Sequence, residues 1–269
     1  FGFGSAFPLN NLAVADYPPM LVAFGRALVA MLAVGTFALW RGDRWATDLR
    51  SQLSYLAVGV LMTTLPFAAI AYGQSRIPSS LGGVLFATIP LFTLSFGPVF
   101  FRGRKIGGLQ LVGGVTGLAG VAIATRVSSD GADWQGITVT LLAACSYALG
   151  GLLTQRLGHM SASALASAQL AFGTVLLLVL ISGTQTLALP DSRQATVLVL
   201  LGTFCTAAPM IAVFALIRQV GASAASTATL FIPVVAVSIG VLVLGETFSA
   251  SLLAGLLGVV IGAHLIVRR

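Results

Sequence analysis

The chain has very little charge. Charged residues make up 8% of its 269 positions and hydrophobic residues 57%, whereas roughly 25% of a soluble domain is charged. The mean hydropathy is +1.01. A soluble domain could not hide so much apolar surface from water. The polar alternation that barrel strands need is also missing, so the composition predicts an all-α membrane protein.

Residues for metal binding and covalent catalysis are scarce as well. The two Cys lie in different apolar runs without CxxC spacing, and the two His have no acidic neighbour at ligand spacing. No Ser/His/Asp or HExxH pattern is present. We therefore expect no metal ion, no cofactor and no enzymatic activity, with an intramembrane enzyme kept as an alternative.

Successive apolar runs of about 17–24 residues dominate the chain instead, and this length crosses a bilayer. They predict ten transmembrane helices, at residues 1–14, 18–40, 53–75, 79–101, 107–125, 136–157, 163–181, 195–217, 222–244 and 252–267. At ~1.5 Å per residue the first run covers roughly 21 Å of a ~30 Å hydrocarbon core. Since the chain also begins with Phe, we expect a truncated first helix.

The basic residues predict the orientation. One membrane face holds ten of them, Arg41, Arg44, Arg50, Arg102, Arg104, Lys105, Arg156, Arg218, Arg268 and Arg269, and the other holds three, Arg76, Arg126 and Arg193. The positive-inside rule then puts both termini on the cytoplasmic side of the membrane. We expect this membrane to be a bacterial inner membrane. This topology and anionic lipid account for the net charge of +7, so nucleic acid is not an expected partner.

A shift of 143 residues aligns the chain with itself. It places Pro90 on Pro233 and Pro66 on Pro209, two coincidences among only ten prolines. The same shift aligns Ile89 with Ile232, Ser95 with Ser238, Gly97 with Gly240, Thr63 with Thr206 and Ala69 with Ala212. We predict two five-helix repeats, at residues 1–126 and 135–269. Because five is odd, the second repeat must be inverted in the membrane, as in many secondary transporters.

The paired prolines mark the predicted midplane. Pro90 and Pro233 are each about the twelfth residue of their span, where a proline removes a backbone hydrogen bond and bends the helix. A freed carbonyl is tolerable in a membrane where it lines a polar cavity. We interpret both prolines as hinges, with static kinks as the alternative.

Three segments carry a resemblance to a known family. They are YPPMLVAFGRALVAML (17–32), LFIPVVAVSIGVLVLGETFSASLLAGLLGVVIGAHLIV (230–267) and a weaker copy of the latter at 89–126. With these motifs the chain resembles the EamA-type transporters of the drug/metabolite transporter superfamily. Gly103-Arg104 stands where that family usually has Gly-Glu.

The resemblance implies a carrier with ten helices. It implies a central cavity built mainly by helices 1–4 and 6–9, with helices 5 and 10 set aside, and export of small metabolites by alternating access. The branch that exports aromatic and other hydrophobic amino acids is the nearest match. Multidrug or other metabolite export is the alternative within this fold, and a channel is the alternative of another class.

Neutral and aromatic side chains are the candidates for the substrate cavity. The predicted cavity residues are Asn10, Asn11, Phe67, Tyr72, Phe86, Thr88, Tyr147 and Thr229. Aromatic rings with a few hydroxyl and amide groups suit an apolar or aromatic solute. No Asp or Glu lies deep in any span, so we expect transport without a carboxylate proton relay.

The charged residues near the membrane leave several interpretations open. Arg26 is a charge inside a span, so it either marks the transport pathway or satisfies helix-end carbonyls. Glu246 and Asp16 are interpreted as caps of helices 10 and 2. The small-residue stretches 113–117 and 258–262 fit helix–helix contacts, either within one chain or in a homodimer.

The predicted topology is directly testable. We expect a reporter fused after Arg269 to be cytoplasmic, because of the asymmetry of basic residues. Cysteines placed in the 1–2 and 9–10 loops should react with an impermeant thiol reagent added from outside. An active periplasmic reporter at the C-terminus would overturn the orientation and the inverted repeat with it.

Overall fold

The computed structural model describes residues 1–101, 107–126, 133–157, 161–183, 188–247 and 249–267. Every regular element within these ranges is a helix. We number the helical segments α1 (Gly2–Asp16), α2 (Pro19–Trp40), α3 (Leu49–Gln74), α4 (Ser79–Phe100), α5 (Gly108–Arg126), α6 (Trp134–Arg156), α7 (Ala162–Ser182), α8 (Ser192–Val220), α9 (222–242) and α10 (Ala250–Val267).

Seven of the described helices are long and apolar enough to cross a membrane. They are α2, α3, α4, residues Gly108–Thr125 of α5, α6, α7 and α8. The apolar stretches Phe231–Leu242 of α9 and Ala250–Ile266 of α10 are shorter. The all-α membrane class is therefore confirmed, whereas ten spans in two repeats stay a prediction.

Two helices begin earlier than their apolar runs predict, because polar residues cap them. Asp48 accepts a hydrogen bond from the Ser51 N–H, so α3 begins at Leu49. Asp191 and Gln194 form a reciprocal capping box at the start of α8. Such caps satisfy backbone N–H groups that have no partner inside the helix.

The paired prolines follow irregular turns. Pro66 and Pro209 sit in the first turn after the π-helical stretches Val60–Thr64 and Thr203–Ala207. Pro90 begins the second part of α4 after a break at residues 87–88, and Pro233 follows the 3₁₀ stretch Ser226–Leu230 of α9. Proline is favoured in a first turn, where its missing N–H costs nothing. Each of these prolines therefore follows an interruption of the regular α-helix.

Helices α5 and α10 pack against each other through glycine. An added Cβ on Gly113 would lie 2.5 Å from the Gly262 carbonyl oxygen, and one on Gly120 would lie 2.8 Å from the Gly255 oxygen. The N-terminal part of α5 thus contacts the C-terminal part of α10, so the two helices are antiparallel. Small residues allow this close approach of backbones, and here both glycine faces are used within one chain.

The remaining helices enclose a common apolar core. Helix α2 packs on α7 and α8, α3 on α6 and α7, and α4 on α6 and α9, while α1 lies against α9. The buried side chains of this core come from both ends of the chain, including Phe7, Tyr55, Phe67, Tyr147, Leu165 and Phe214.

The two crossings of α3 on α7 and of α8 on α2 are counterparts. A Cβ on Gly59 would lie 2.8 Å from the Gln169 carbonyl oxygen, and one on Gly202 would lie 3.0 Å from the Arg26 oxygen. The shift of 143 residues converts Gly59 into Gly202 and Arg26 into Gln169. Equivalent residues therefore make equivalent contacts across the bundle.

The glycine contact of α5 and α10 predicts the effect of two neighbouring substitutions. Gly113→Ala would force a Cβ against the Gly262 carbonyl, whereas a Cβ on Gly114 meets nothing within 4 Å. We expect Gly113→Ala to lower stability by about 1–3 kcal/mol, as overpacking does, and Gly114→Ala to leave it unchanged or higher. Thermal unfolding in detergent measures both. Equal midpoints for the two variants would contradict the close contact.

Candidate functional site

A cavity lies inside the bundle between α1, α3, α4, α6, α8 and α9. Its volume is about 50 Å³, within about 520 Å³ of space between the lining atoms that includes open solvent. Its lining residues are Phe3, Met62, Phe86, Ile89, Thr93, Tyr147, Ala148, Gly151, Val213, Ile217, Ala222, Ala225, Ser226, Thr229 and Ile232. Most of them are apolar, and the polar ones carry a hydroxyl. Such a lining suits a small apolar solute with few hydrogen-bonding groups.

Three of the predicted cavity residues line this space, namely Phe86, Tyr147 and Thr229. The rings of Phe86 and Tyr147 meet edge to face with their centroids 5.1 Å apart. Phe7 stacks on the other side of Phe86 in the same manner, at 5.3 Å. The aromatic wall is therefore continuous from α1 through α4 to α6. Contact of these residues with a substrate stays a prediction.

The two predicted amides of α1 lie away from the cavity. The first residues of α1 lie beside Pro209, in the middle of α8. Asn10 and Asn11 come later in α1 and therefore lie nearer to the α1–α2 junction. Asn10 Nδ2 donates to the Ala6 carbonyl oxygen within α1, at 2.8 Å. Asn11 Nδ2 donates to the carbonyl oxygen of Gln74, the last residue of α3, at 2.9 Å. The Asn11 amide therefore joins α1 to α3, whereas the Asn10 amide bonds within α1.

Tyr72 and Thr88 were also predicted at the cavity, and the structure places them elsewhere. Tyr72 is 36% exposed, two residues before the end of α3, and its hydroxyl donates to Gln135 Oε1 at 3.1 Å. Thr88 is buried at the break of α4, where its hydroxyl donates to the Leu85 carbonyl oxygen at 2.6 Å. Tyr72 differs from the prediction because it lies near the end of α3. Thr88 differs because its hydroxyl bonds a nearby backbone carbonyl.

Arg26 is buried behind the cavity wall. Its side chain packs on Phe67, the remaining predicted residue, with the guanidinium carbon 4.2 Å from the ring centroid. Its Nε donates to Thr206 Oγ1 at 2.7 Å. Tyr147 lies in its neighbourhood. The guanidinium is therefore held by α3 and α8, inside the bundle and away from lipid.

Several cavity residues were not predicted. Thr93 follows Ile89 by one helical turn, so it shares the inward face of α4. Ser226 and Thr229 share a face of α9 in the same way. Helical spacing from the predicted Phe86 and Thr229 could have identified these hydroxyls. The contribution of Gly151 has no local sequence signal, because it depends on which helix faces α6.

Two ion pairs lie at the end of the bundle that holds the α1–α2 junction, which we call the α1–α2 end, while Arg41 and Asp43 pair at the opposite end, at 4.0 Å. The Arg193 guanidinium pairs with Asp16 at 3.1 Å, and Arg76 pairs with Asp133. The backbone N–H of Gln135 and then Arg76 hold the pKa of Asp133 below its usual range. Since the folded pKa is lowered, this pair is present at neutral pH and is lost as the pH falls through that lowered value. Asp16 ends α1 and does not cap α2 as predicted.

The predicted capping role of Glu246 is found at another helix. Its carboxylate accepts hydrogen bonds from the Ser79 N–H at 2.7 Å, the Ser79 hydroxyl at 2.6 Å and the Ser80 N–H at 3.0 Å. It therefore caps α4 from the loop between α9 and α10, while Ser249 caps α10. Negative charge is favourable at a helix N-terminus. The absence of a side chain on Gly240 makes room, because a Cβ there would lie 2.6 Å from Glu246 Oε2.

The helices and the internal cavity define a multi-pass helical membrane protein. The chain is 30% identical to the uncharacterized inner membrane transporter YedA of Escherichia coli K12, over 92% of this chain and 81% of that protein. It is 28% identical to the uncharacterized transporter YvbV of Bacillus subtilis, over 96% and 85% of the two chains. A solved crystal structure, 16% identical, shares the fold with a TM-score of 0.73 over 98% of this chain and 94% of that one.

The EamA-like transporter family matches residues 1–126 and 134–268. The chain belongs to this family and is a membrane transporter. In the part of the chain that the structure describes, no group of three His, Cys, Asp or Glu residues is placed to hold a metal ion.

The contacts of Glu246 predict a loss of stability when the carboxylate is removed. In Glu246→Ala the N–H groups of Ser79 and Ser80 lose their acceptor, which costs about 1–3 kcal/mol for buried donors. We expect a lower unfolding midpoint in detergent, and a smaller decrease for Glu246→Gln, which keeps one acceptor oxygen. An unchanged midpoint in Glu246→Ala would show that α4 does not depend on this carboxylate.

Proposed function

We propose that this protein exports small hydrophobic or aromatic amino acids, or metabolites like them, across the bacterial inner membrane by alternating access. The observation that carries the proposal is the aromatic and hydroxyl lining of the cavity, in a chain that belongs to a transporter family. The name of the relative YedA, an inner membrane transporter, supports the location.

The ten helices act as two inverted repeats in this proposal. The antiparallel pairing of the counterparts α5 and α10 supports an inversion. Further support comes from the reciprocal crossings of α3 on α7 and of α8 on α2. The π-helical stretches Val60–Thr64 and Thr203–Ala207 occupy equivalent positions in the two halves, as the 143-residue shift requires. Inverted repeats can exchange conformations, and this exchange is the basis of alternating access.

In this proposal the solute reaches the cavity from the cytoplasmic face in the conformation described here. The basic residues assign the α8–α9 junction and both termini to the cytoplasm, and cavity residues such as Ile217 and Ala222 lie at that junction. At the α1–α2 end the two halves are joined by Asp16–Arg193, Arg76–Asp133 and Ser79–Glu246. At the opposite end the Ser161 and Ser163 hydroxyls donate to Asp43. Breaking the first set of contacts while closing the α8–α9 end would give the outward-facing state.

Pro90 and Pro233 serve as hinges for this exchange. Each follows an irregular turn of a helix that lines the cavity, α4 or α9. The interruption leaves fewer regular hydrogen bonds to break when the two parts of the helix move. Because the cavity lining in the described chain holds no carboxylate, the flux runs down the solute gradient and needs no imposed proton gradient.

Three alternative functions differ in what they require. A multidrug or general metabolite exporter of this fold would accept solutes that bear no amino-acid group. A channel would conduct without saturation, and an intramembrane enzyme would convert a lipid or peptide. Saturable counterflow of an unchanged solute in proteoliposomes separates a carrier from both other classes.

Transport and its location in the cavity can be tested together. We expect proteoliposomes to take up phenylalanine, tryptophan or methionine without a pH gradient. In Gly151→Phe the new ring would enter the cavity, because the nearest side-chain atoms lie 3.9 Å from an added Cβ. We expect that variant to fold and to lose at least about tenfold of the flux, since ~1.4 kcal/mol of lost binding is tenfold.

Gly114→Phe is the matched control, because an added Cβ at this glycine meets nothing within 4 Å. It should retain the flux of the unsubstituted protein. Strict dependence on a proton gradient, or uptake confined to phosphorylated compounds, would contradict the proposed substrate class. Equal flux in the two variants would place the transport path outside this cavity.

A further inference from the structure

We propose that Arg26 binds the carboxylate of the transported solute. The inference deepens the proposed function and rests on it, since it assigns one residue to the anionic group of an amino-acid-like substrate. It predicts a preference for solutes with a single carboxylate next to an apolar body. The supporting observations are an unfilled hydrogen-bonding position, a neutral counterpart in the other half of the chain, and the position next to the cavity wall.

The hydrogen bonds of Arg26 leave part of its guanidinium without a partner. The residue is 2% exposed. Its Nε donates to Thr206 Oγ1 at 2.7 Å, and the Thr206 hydroxyl in turn donates to the Leu201 carbonyl oxygen. Its Nη1 is buried and has no hydrogen-bond partner among the described residues.

A buried guanidinium normally has a negative partner. In the described part of the chain, no carboxylate forms an ion pair with Arg26. The Phe67 ring offers a cation–π contact, and Thr206 offers a neutral oxygen. Burying a charge is expensive unless it is paired. An incoming carboxylate would supply both the missing negative charge and an acceptor for Nη1.

The second half of the chain shows that packing does not require a positive charge here. The counterpart of Arg26 is Gln169, and the counterpart of Thr206 is Thr63. The Thr63 hydroxyl donates to Gln169 Oε1 at 2.6 Å, so a neutral side chain bonds the equivalent threonine across the bundle, as an acceptor where Arg26 is a donor. Both positions lie where glycine brings two helices together, at Gly202 and Gly59. The charge of Arg26 therefore needs an explanation beyond helix packing.

The guanidinium lies close to the cavity lining, because Tyr147, which lines the cavity, is in its neighbourhood. Phe67 packs on the guanidinium, and Phe86 packs on Tyr147. A solute whose carboxylate reaches Nη1 past Tyr147 would keep its apolar part among these rings. Arginine is well suited to such a carboxylate because its planar group presents parallel N–H donors.

One guanidinium matches one negative charge. A phosphorylated solute would bring nearly two charges into an apolar site, and the cavity lining contributes no second cation in the described chain. The uncompensated charge would oppose entry. The site thus favours monocarboxylates, including zwitterionic amino acids, over phosphate esters and over apolar amines that lack a carboxylate.

Arg26→Gln tests the inference, because the chain itself uses Gln at the equivalent position. In proteoliposomes we expect the unsubstituted protein to prefer phenylalanine and 3-phenylpropionate over phenylethylamine by at least about tenfold, the size of one charge-assisted hydrogen bond. In Arg26→Gln the preference should fall to about one while the unfolding midpoint is retained. Gln169→Ala, which removes the equivalent contact and leaves Arg26 in place, should keep the preference.

A second measurement does not depend on transport or on a variant. In detergent, 3-phenylpropionate should raise the unfolding midpoint of the unsubstituted protein in chloride-free buffer, and phenylethylamine should not. Failure of the acid to stabilise would overturn the inference even if Arg26→Gln did not fold. Equal stabilisation by chloride alone would identify a site for an inorganic anion and would also overturn it.

The remaining outcomes separate the two proposals. A well-folded Arg26→Gln with undiminished preference for the acids would overturn the role of Arg26 and leave the proposed transport function intact. Arg26→Lys keeps the charge without the planar fork, so it should show a raised KM for phenylalanine and a reduced but measurable preference. No uptake of any of the three solutes by the unsubstituted protein would overturn both proposals.

Discussion

The bundle depends on a contact that the chain makes twice, where α2 crosses α8 and α7 crosses α3. At each crossing a glycine, Gly202 or Gly59, lets the backbones approach. A threonine in a π-helical turn then bonds the long polar side chain of the facing helix. In a membrane the hydrophobic effect contributes little to the association of helices. Close packing and hydrogen bonds therefore determine which helices associate. Because both crossings join the first half of the chain to the second, they hold the wall around the cavity together.

The irregular turns near the prolines connect this packing to function. A π-helical turn or a 3₁₀ stretch leaves backbone groups without their usual partners, and such groups are tolerated at membrane depth only inside protein or beside a cavity. The cavity is lined by α4 and α9 after their interruptions, at Ile89 and Ile232. The helices that must be regular, α5 and α10, lie to the side and meet through glycine. The regular helices α5 and α10 thus lie outside the cavity, and the irregular helices line it.

Charged side chains make contacts at both ends of the bundle. At the α1–α2 end Glu246 caps α4 and Asp133 pairs with Arg76, and at the opposite end Asp43 accepts hydrogen bonds from Ser161 and Ser163. The cavity lining is aromatic and hydroxylic. Contacts with exposed partners are individually weak, so such an end can open without a large energetic barrier. An anionic solute, in contrast, would stabilise the buried guanidinium of Arg26, whose Nη1 lacks a hydrogen-bond partner among the described residues.

Composition and run lengths determined the class of this protein, because a bilayer leaves only a few ways to satisfy a backbone. The proline pairs and the 143-residue shift also predicted where helices would be irregular. The positions of individual side chains were harder to predict from the sequence. Phe86, Tyr147 and Thr229 were predicted at the cavity they line, whereas Tyr72 and Asn11 lie near the α1–α2 end. Glu246 shows the reason: its acidic character predicted a cap, but only the tertiary structure decided that the capped helix is α4, distant in sequence and adjacent in space.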